Sequence, residues 1–166
     1  MFHLKPKPRP PTSVGRVTPG QLDWGLLDAP AHAGVKAAVR DLNRLYRDTP
    51  ALYVRDCEGE GFRWIVVDDA DQSVVAWLRF GAAGDPPIAV VCNLTPVPRR
   101  GYRLGLPGQG RWREVFNSDA REYGGSGMGN AGEVTATSIP AHGLDASAEI
   151  VLPPLSTLYF RRQTDA

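Results

Sequence analysis

The sequence predicts a mostly β fold: an antiparallel sandwich of about eight strands preceded by one α-helix. Three observations predict it. Short runs rich in β-branched and aromatic residues follow one another from about Phe62 to Arg162, the composition of strands. Gly and Pro supply 33 of the 166 residues, which provides the many turns that short strands need. Only one stretch, 33–48, carries apolar residues at the three- and four-residue steps of a helix.

The chain divides into three segments. Residues 1–20 hold five prolines and the basic Lys5, Lys7, Arg9 and Arg16, with no acid. That segment has too little apolar surface to offset its ordering entropy, so a disordered basic tail is predicted. Residues 21–53 contain the helix. Val35, Ala38, Val39, Leu42, Leu45 and Tyr46 share one helical face, and Lys36, Arg40, Asp41, Arg44 and Arg47 fill most of the rest. Thr49-Pro50 stops it, because a residue before proline avoids the α region.

Residues 54–166 form the sandwich. "FRWIVV" (62–67) and "VVAWLRF" (74–80) flank "DDADQS", a hairpin connection. "IAVVCN" (88–93) is apolar on both faces, as a central strand is. "YRLGL" (102–106), "RWREVFN" (111–117), "EVTATSI" (133–139), "AEIVL" (148–152) and "STLYFRR" (156–162) complete the set.

Charge is balanced at +1, so no general attraction to nucleic acid is implied. Outside the basic tail, 146 residues hold 15 basic and 18 acidic side chains. No apolar run approaches a membrane span. The N-terminus lacks the apolar core of a secretory signal, and a cytoplasmic location is the expectation. Cys57 and Cys92 make neither a disulfide framework nor a zinc site, and Cys92, in its apolar run, reads as a buried thiol.

Candidate chemistry is sparse. "GMGNAG" (127–132) matches G-x-G-x-x-G letter for letter. That fingerprint must follow a buried strand and open a helix whose N-terminus holds the pyrophosphate. Here a turn-like "REYGGS" precedes it and a strand-like "EVTATSIP" follows, so no dinucleotide site is predicted. Met128 stands where a nucleophile elbow around Ser126 needs its last glycine. Asp68, Asp69 and Asp71 lack the Gly and terminal Glu of a calcium loop and read as a solvated turn. His3, His32 and His142 have no metal-ligand spacing; His32 sits just before the helix as a terminus-orienting residue. Asp119 and Glu122 read as solvated loop charges. No catalytic, cofactor or metal residue is therefore expected. Among the aromatics, Trp64 (with Phe62 and Val66) and Trp112 (with Phe116) are expected in the core. Trp77, on a face with Val75 and Arg79, and Tyr123, in the glycine loop, are the candidates for exposed stacking.

Several long segments carry a resemblance. "LDWGLLDAPAHAGVKAAVRDLNRLYRDTPALY" (22–53) resembles the end of the catalytic barrel of bacterial 1,4-α-glucan branching enzymes, in the α-amylase superfamily. "GFRWIVVDDADQSVVAWLRF", "VVCNLTPVPRRGYRLGLP", "GRWREVFNSDAREYGGSGMGN" and "LPPLSTLYF" resemble that family's C-terminal β-domain, in the family's order. Gly25 departs from the histidine usual in the family's "LDWH". "NSDAREYGGSG" is similar to the family's N-x-D-x-x-x-Y-G-G-S loop, a structural feature.

The resemblance implies a link to glycogen and α-glucan metabolism. It also implies that the catalytic carboxylates stand on a (β/α)₈ barrel of about 250 residues, for which this chain has no counterpart. The expected role is structural or associative, with no activity from this chain alone. A free-standing α-glucan-binding module, with Trp77 and Tyr123 as contacts, is the alternative. A further alternative is a subunit that assembles with a barrel-bearing chain, or with itself, through residues 22–46.

Overall fold

A computed structural model describes Gly20 and residues 23–163. The basic tail therefore lies outside the described residues, Gly20 excepted. The chain enters through a short 3₁₀ turn, Trp24–Asp28, capped by the Asp23 carboxylate on the Gly25 N–H at 3.0 Å. The helix α1 follows at Pro30–Arg47. It starts three residues before the predicted 33–48 because Pro30 opens it, where a missing N–H costs nothing and φ is preset. His32 consequently sits inside the first helical turn. Arg44 and Arg47 in the last turn oppose the negative end of the helix dipole.

Eight strands follow: β1 (Phe62–Asp69), β2 (Val74–Arg79), β3 (Ile88–Asn93), β4 (Arg99–Leu106), β5 (Gly110–Asn117), β6 (Glu133–Ala136), β7 (Ala146–Leu152) and β8 (Ser156–Arg162). They form a six-stranded sheet in the order β1-β2-β3-β8-β5-β6 and a two-stranded sheet β4-β7. All pairings are antiparallel. The predicted strand 133–139 ends at Ala136. Thr137 leaves β5 and bridges Ser147 of β7, so the chain changes sheets there. Among the described residues no helix is long and apolar enough to cross a membrane.

Period-2 alternation builds the core. β2 sends Val74, Ala76 and Leu78 inward; β3 adds Ala89 and Val91, and β8 adds Leu158 and Phe160. The small sheet answers with Tyr102, Leu104 and Leu106 from β4 and Ala146, Ala148, Ile150 and Leu152 from β7. Trp112 is 0% exposed at the centre, as expected. Trp64 is not core. It is 53% exposed, because β1 bulges between Trp64 and Val66. The extra residue turns both Ile65 and Val66 inward and leaves Trp64 outward. A second bulge, between Glu114 and Phe116, also separates Trp112 from Phe116. Trp112 faces the core, whereas Phe116 contacts Tyr123 and Tyr159 on the other face.

Loops are held by buried polar groups. Asn93, 1% exposed, donates through Nδ2 to the Val97 and Pro153 carbonyls, both at 2.9 Å, and accepts from Thr95 through Oδ1. Leu155 in the adjoining turn has φ 46°, a left-handed conformation that costs a leucine roughly 1–2 kcal/mol. Asp69 accepts from the Tyr102 hydroxyl at 2.9 Å and from the Gln72 N–H, so it is a structural acceptor rather than a solvated turn charge. Cys92 is half-buried beside the Thr157 hydroxyl, burial pushing its thiol pKa up. Cys57 is exposed.

The two tryptophans therefore differ in weight. Trp112→Ala should cost roughly 3–5 kcal/mol in chemical denaturation, the usual cost of removing a buried aromatic. Trp64→Ala should cost under about 1 kcal/mol, because its ring is already largely in water.

Candidate functional site

The outer face of the large sheet carries an unusual row. Trp64 pairs with Trp77, Trp77 with Val90, Val90 with Tyr159 and Tyr159 with Phe116, across β1, β2, β3, β8 and β5. The neighbouring row reads Phe62, Arg79, Ile88, Arg161, Arg113. Helix α1 lies over this face. Leu42, Leu45 and Tyr46 meet Trp77, Val90 and Tyr159 around a cleft of about 380 Å³.

One close contact fixes the helix. Gly34 packs against the loop after β5, where an added Cβ would lie 2.5 Å from the Tyr123 carbonyl oxygen. Two helical turns further on, the Tyr123 hydroxyl donates to Asp41 Oδ2 at 3.1 Å, and the Tyr123 ring stacks on Phe116 at 5.5 Å. Burial, and then the hydrogen bond to Asp41, push the Tyr123 pKa up to about 12. The Arg40 guanidinium, hydrogen-bonded to Asp41, holds that carboxyl below its ordinary range. A raised phenol pKa favours the folded state until pH rises through it; a lowered carboxyl pKa favours it until pH falls through it. The contact thus spans neutral pH and weakens only in acid or strong base.

The loop is built to present Tyr123. Asp119 accepts from the Ser126 N–H at 2.9 Å and from the Ser126 hydroxyl, while its own carbonyl accepts from the Gly127 N–H at 2.8 Å. Asp119 is therefore the hub of the loop rather than a solvated charge; Glu122 is exposed. Glu114 accepts from Asn117 and Asn130, and Asn130 in turn exchanges two hydrogen bonds with Val151 of β7. The glycine fingerprint ends in β6, a strand, and not in a helix.

The helix meets the sheet off its apolar axis. Its sheet-facing residues are Gly34, Ala38, Asp41 and Leu45, all buried or half-buried. Val35 (63% exposed) and Val39 stay in solvent, and Tyr46 is half in solvent at the rim of the cleft. At 100° per residue, the predicted face Val35-Ala38-Val39-Leu42-Leu45-Tyr46 is centred about a fifth of a turn from the contact line, so Ala38, Leu42 and Leu45 are half-buried while Val35, Val39 and Tyr46 are exposed. Trp24 and Leu26 before the helix, and Tyr53 and Val54 after it, are exposed as well.

Trp77 and Tyr123 fall on opposite flanks of α1. Trp77 is half-buried in the cleft, with Trp64 edge-on at 6.3 Å. Tyr123 is half-buried on the side of Asp41 and Arg44. The two line different hollows that share only Leu45. The exposed residues that sequence reasoning did not place are Trp64, hidden by the bulge, and Val39 and Tyr46, whose periodicity gives a shared face but no partner. Among the described residues no group of three His, Cys, Asp or Glu side chains could hold a metal ion.

Comparison with known proteins fits this geometry. The family described as "Alpha amylase, C-terminal all-beta domain" matches residues 64–163. The 1,4-alpha-glucan branching enzyme GlgB of Novosphingobium aromaticivorans is 58% identical over 137 residues, 82% of this chain and 18% of that protein. The enzyme of the same name from Mesorhizobium japonicum is 56% identical over 144 residues, 87% of this chain and 19% of that protein. That of Rhodospirillum rubrum is 56% identical over 140 residues, 84% and 19% respectively. The chain thus spans about a fifth of the length of the curated relatives it matches.

If Gly34 sets the helix on the sheet, Gly34→Val should cost about 1–3 kcal/mol by overpacking. Amide hydrogen exchange should speed up across Pro30–Arg47 and not in β3 or β8.

Proposed function

Because the chain belongs to the family of alpha-amylase C-terminal all-beta domains, we propose that it serves a non-catalytic, associative role in α-glucan branching: a β-domain that seats on a catalytic barrel. The observation that carries this reading is the displaced stripe of α1. A helix that had evolved to serve one sheet alone would aim its apolar side chains at that sheet. Here Val35, Val39 and Tyr46 point elsewhere, within a segment that resembles the end of the branching-enzyme barrel. Covering them contributes roughly 1 kcal/mol apiece at about 25 cal/mol per Å². Contiguous exposed apolar surface of this kind marks an association site.

The second reading is an α-glucan-binding module. It draws on the aromatic end of the outer row, where Phe62 and Trp64 stand edge-on at 4.8 Å beside Trp77 and the cleft. Trp77 and Tyr123 remain its proposed contacts.

The tests separate the two. The chain alone should leave the iodine-stain spectrum of amylose unchanged. Mixed with the other four-fifths of a branching-enzyme relative, it should bind, and Val39→Asp should weaken that binding by about tenfold or more, an effect of hot-spot size. Loss of glycogen co-sedimentation in Trp77→Ala, and in Tyr123→Phe, at unchanged melting temperature, would instead establish the glucan-binding reading.

A further inference from the structure

A separate hollow lies where the small sheet meets the turn between β1 and β2, and strand β4 builds it. Its ladder with β7 jumps from the Arg99–Leu152 pair to the Tyr102–Ile150 pair, so Arg100 and Gly101 have no partner residue there. Gly101 takes the positive φ, 68°, that the bulge requires. Strict alternation would send Arg99 and Arg100 to opposite faces. The bulge instead lets Arg99, Arg100 and Arg103 line one hollow of about 510 Å³. His142 joins them from the loop before β7. Gly105 lets that loop lie against β4, since an added Cβ would collide with the Ala141 carbonyl. Arg63 holds the loop by donating to the Gly143 carbonyl at 2.9 Å. The Gly105 N–H donates to His142 Nδ1 at 3.1 Å, so the neutral ring carries its hydrogen on Nε2 as a further donor.

The charges of this hollow are not offset locally. Arg103 pairs with Glu149 and donates to the Ser147 hydroxyl. Among the described residues no carboxylate pairs with Arg99 or Arg100. Asp69, the one carboxylate in the lining, already accepts from the Tyr102 hydroxyl and the Gln72 N–H. Arg99 is held by the Gln72 carbonyl at 3.3 Å, yet its buried Nε has no acceptor among the described residues. We infer that this hollow binds a sugar phosphate, with the phosphate group between Arg99 and Arg100 and with His142 Nε2 as a third donor. Guanidinium forks match phosphate oxygens in charge-assisted hydrogen bonds. The volume suits a small molecule and not a bare ion. The exposed His142 ring, stacked on Tyr102 at 6.4 Å, offers a sugar ring a flat face. Two sources carry this chemistry: a free hexose phosphate, and a phosphate ester on an α-glucan chain.

The test titrates the whole chain with glucose 6-phosphate at constant ionic strength, followed by calorimetry. Saturable one-to-one binding is expected, with a dissociation constant on the order of 1 mM for a few charge-assisted hydrogen bonds. Arg100 is exposed, so Arg100→Gln should melt like the wild type and bind about tenfold or more weakly. Arg161→Gln, in the hollow beside α1, should bind as the wild type does. Saturating ligand should also raise the melting temperature of the wild type and not that of Arg100→Gln, a comparison that holds even where the variant is less stable. Phosphorylated amylopectin, before and after phosphatase treatment, separates the sources. Retention that phosphatase abolishes assigns the site to the polymer-borne ester; calorimetric binding alone assigns it to the free hexose phosphate. Binding of neither overturns the inference. So does binding that Arg100→Gln leaves intact, that Arg161→Gln weakens equally, or that inorganic phosphate matches in full, because the sugar then contributes nothing.

Discussion

The contact between Gly34 and the Tyr123 carbonyl sets how α1 sits on the rest of the molecule. It brings the N-terminal half of α1 so close to the loop after β5 that only glycine fits. With the helix set there, Asp41 meets the Tyr123 hydroxyl, Leu45 meets the sheet, and the rotation of α1 about its own axis is decided. The Val35-Val39-Tyr46 stripe is then turned away from the sandwich by geometry, not by composition.

The sandwich itself does not need the helix. Its main core lies between the two sheets, around Trp112, Phe160, Leu104 and Ile150. The helix touches the opposite face, where a smaller cluster of Ala51, Ile88 and Val90 is flanked by Leu52, Trp77 and Tyr159. The chain therefore has one layer between its sheets and a thinner one under the helix. The arginines of the outer face fit that division. Arg79 donates through Nη2 to the Leu52 carbonyl and to Asp56, while Arg161 and Arg113 stand directly opposite one another on β8 and β5. Like charges in that position are mildly unfavourable, and they share a hollow with Asp41 of α1 and with Asp48 just after it, outside the core.

Much of the fold was legible because its signals are local. Apolar runs such as "IAVVCN" exposed the central strand, and eight strand segments emerged in order with their turns. What stayed hidden depends on single extra residues or on partners. Nothing in "FRWIVV" marks Ile65 as a bulge, yet that residue moves Trp64 from core to surface. The same holds for the bulge at 115, which puts Trp112 and Phe116 on opposite faces. Periodicity grouped Val35, Ala38, Val39, Leu42, Leu45 and Tyr46 as one face but is silent on what that face meets, and only Ala38, Leu42 and Leu45 of the six are half-buried. Asp119 looked like a loop charge because its partners, Ser126 and Gly127, lie across a turn whose shape comes from the glycines. The resemblance to branching enzymes supplied the order of segments; the direction of the helix stripe needed coordinates.

The central claim is that α1 serves two surfaces, the sandwich on one side and a barrel-bearing polypeptide on the other. Hydroxyl-radical footprinting of the chain, alone and with the remaining four-fifths of a branching-enzyme relative, tests it most directly. Val35, Val39 and Tyr46 should be oxidised readily in the free chain and become protected in the mixture, while Trp112 is protected in both. Equal oxidation of the three helix residues in both samples, with the mixture shown to be folded and at micromolar concentration, would contradict it.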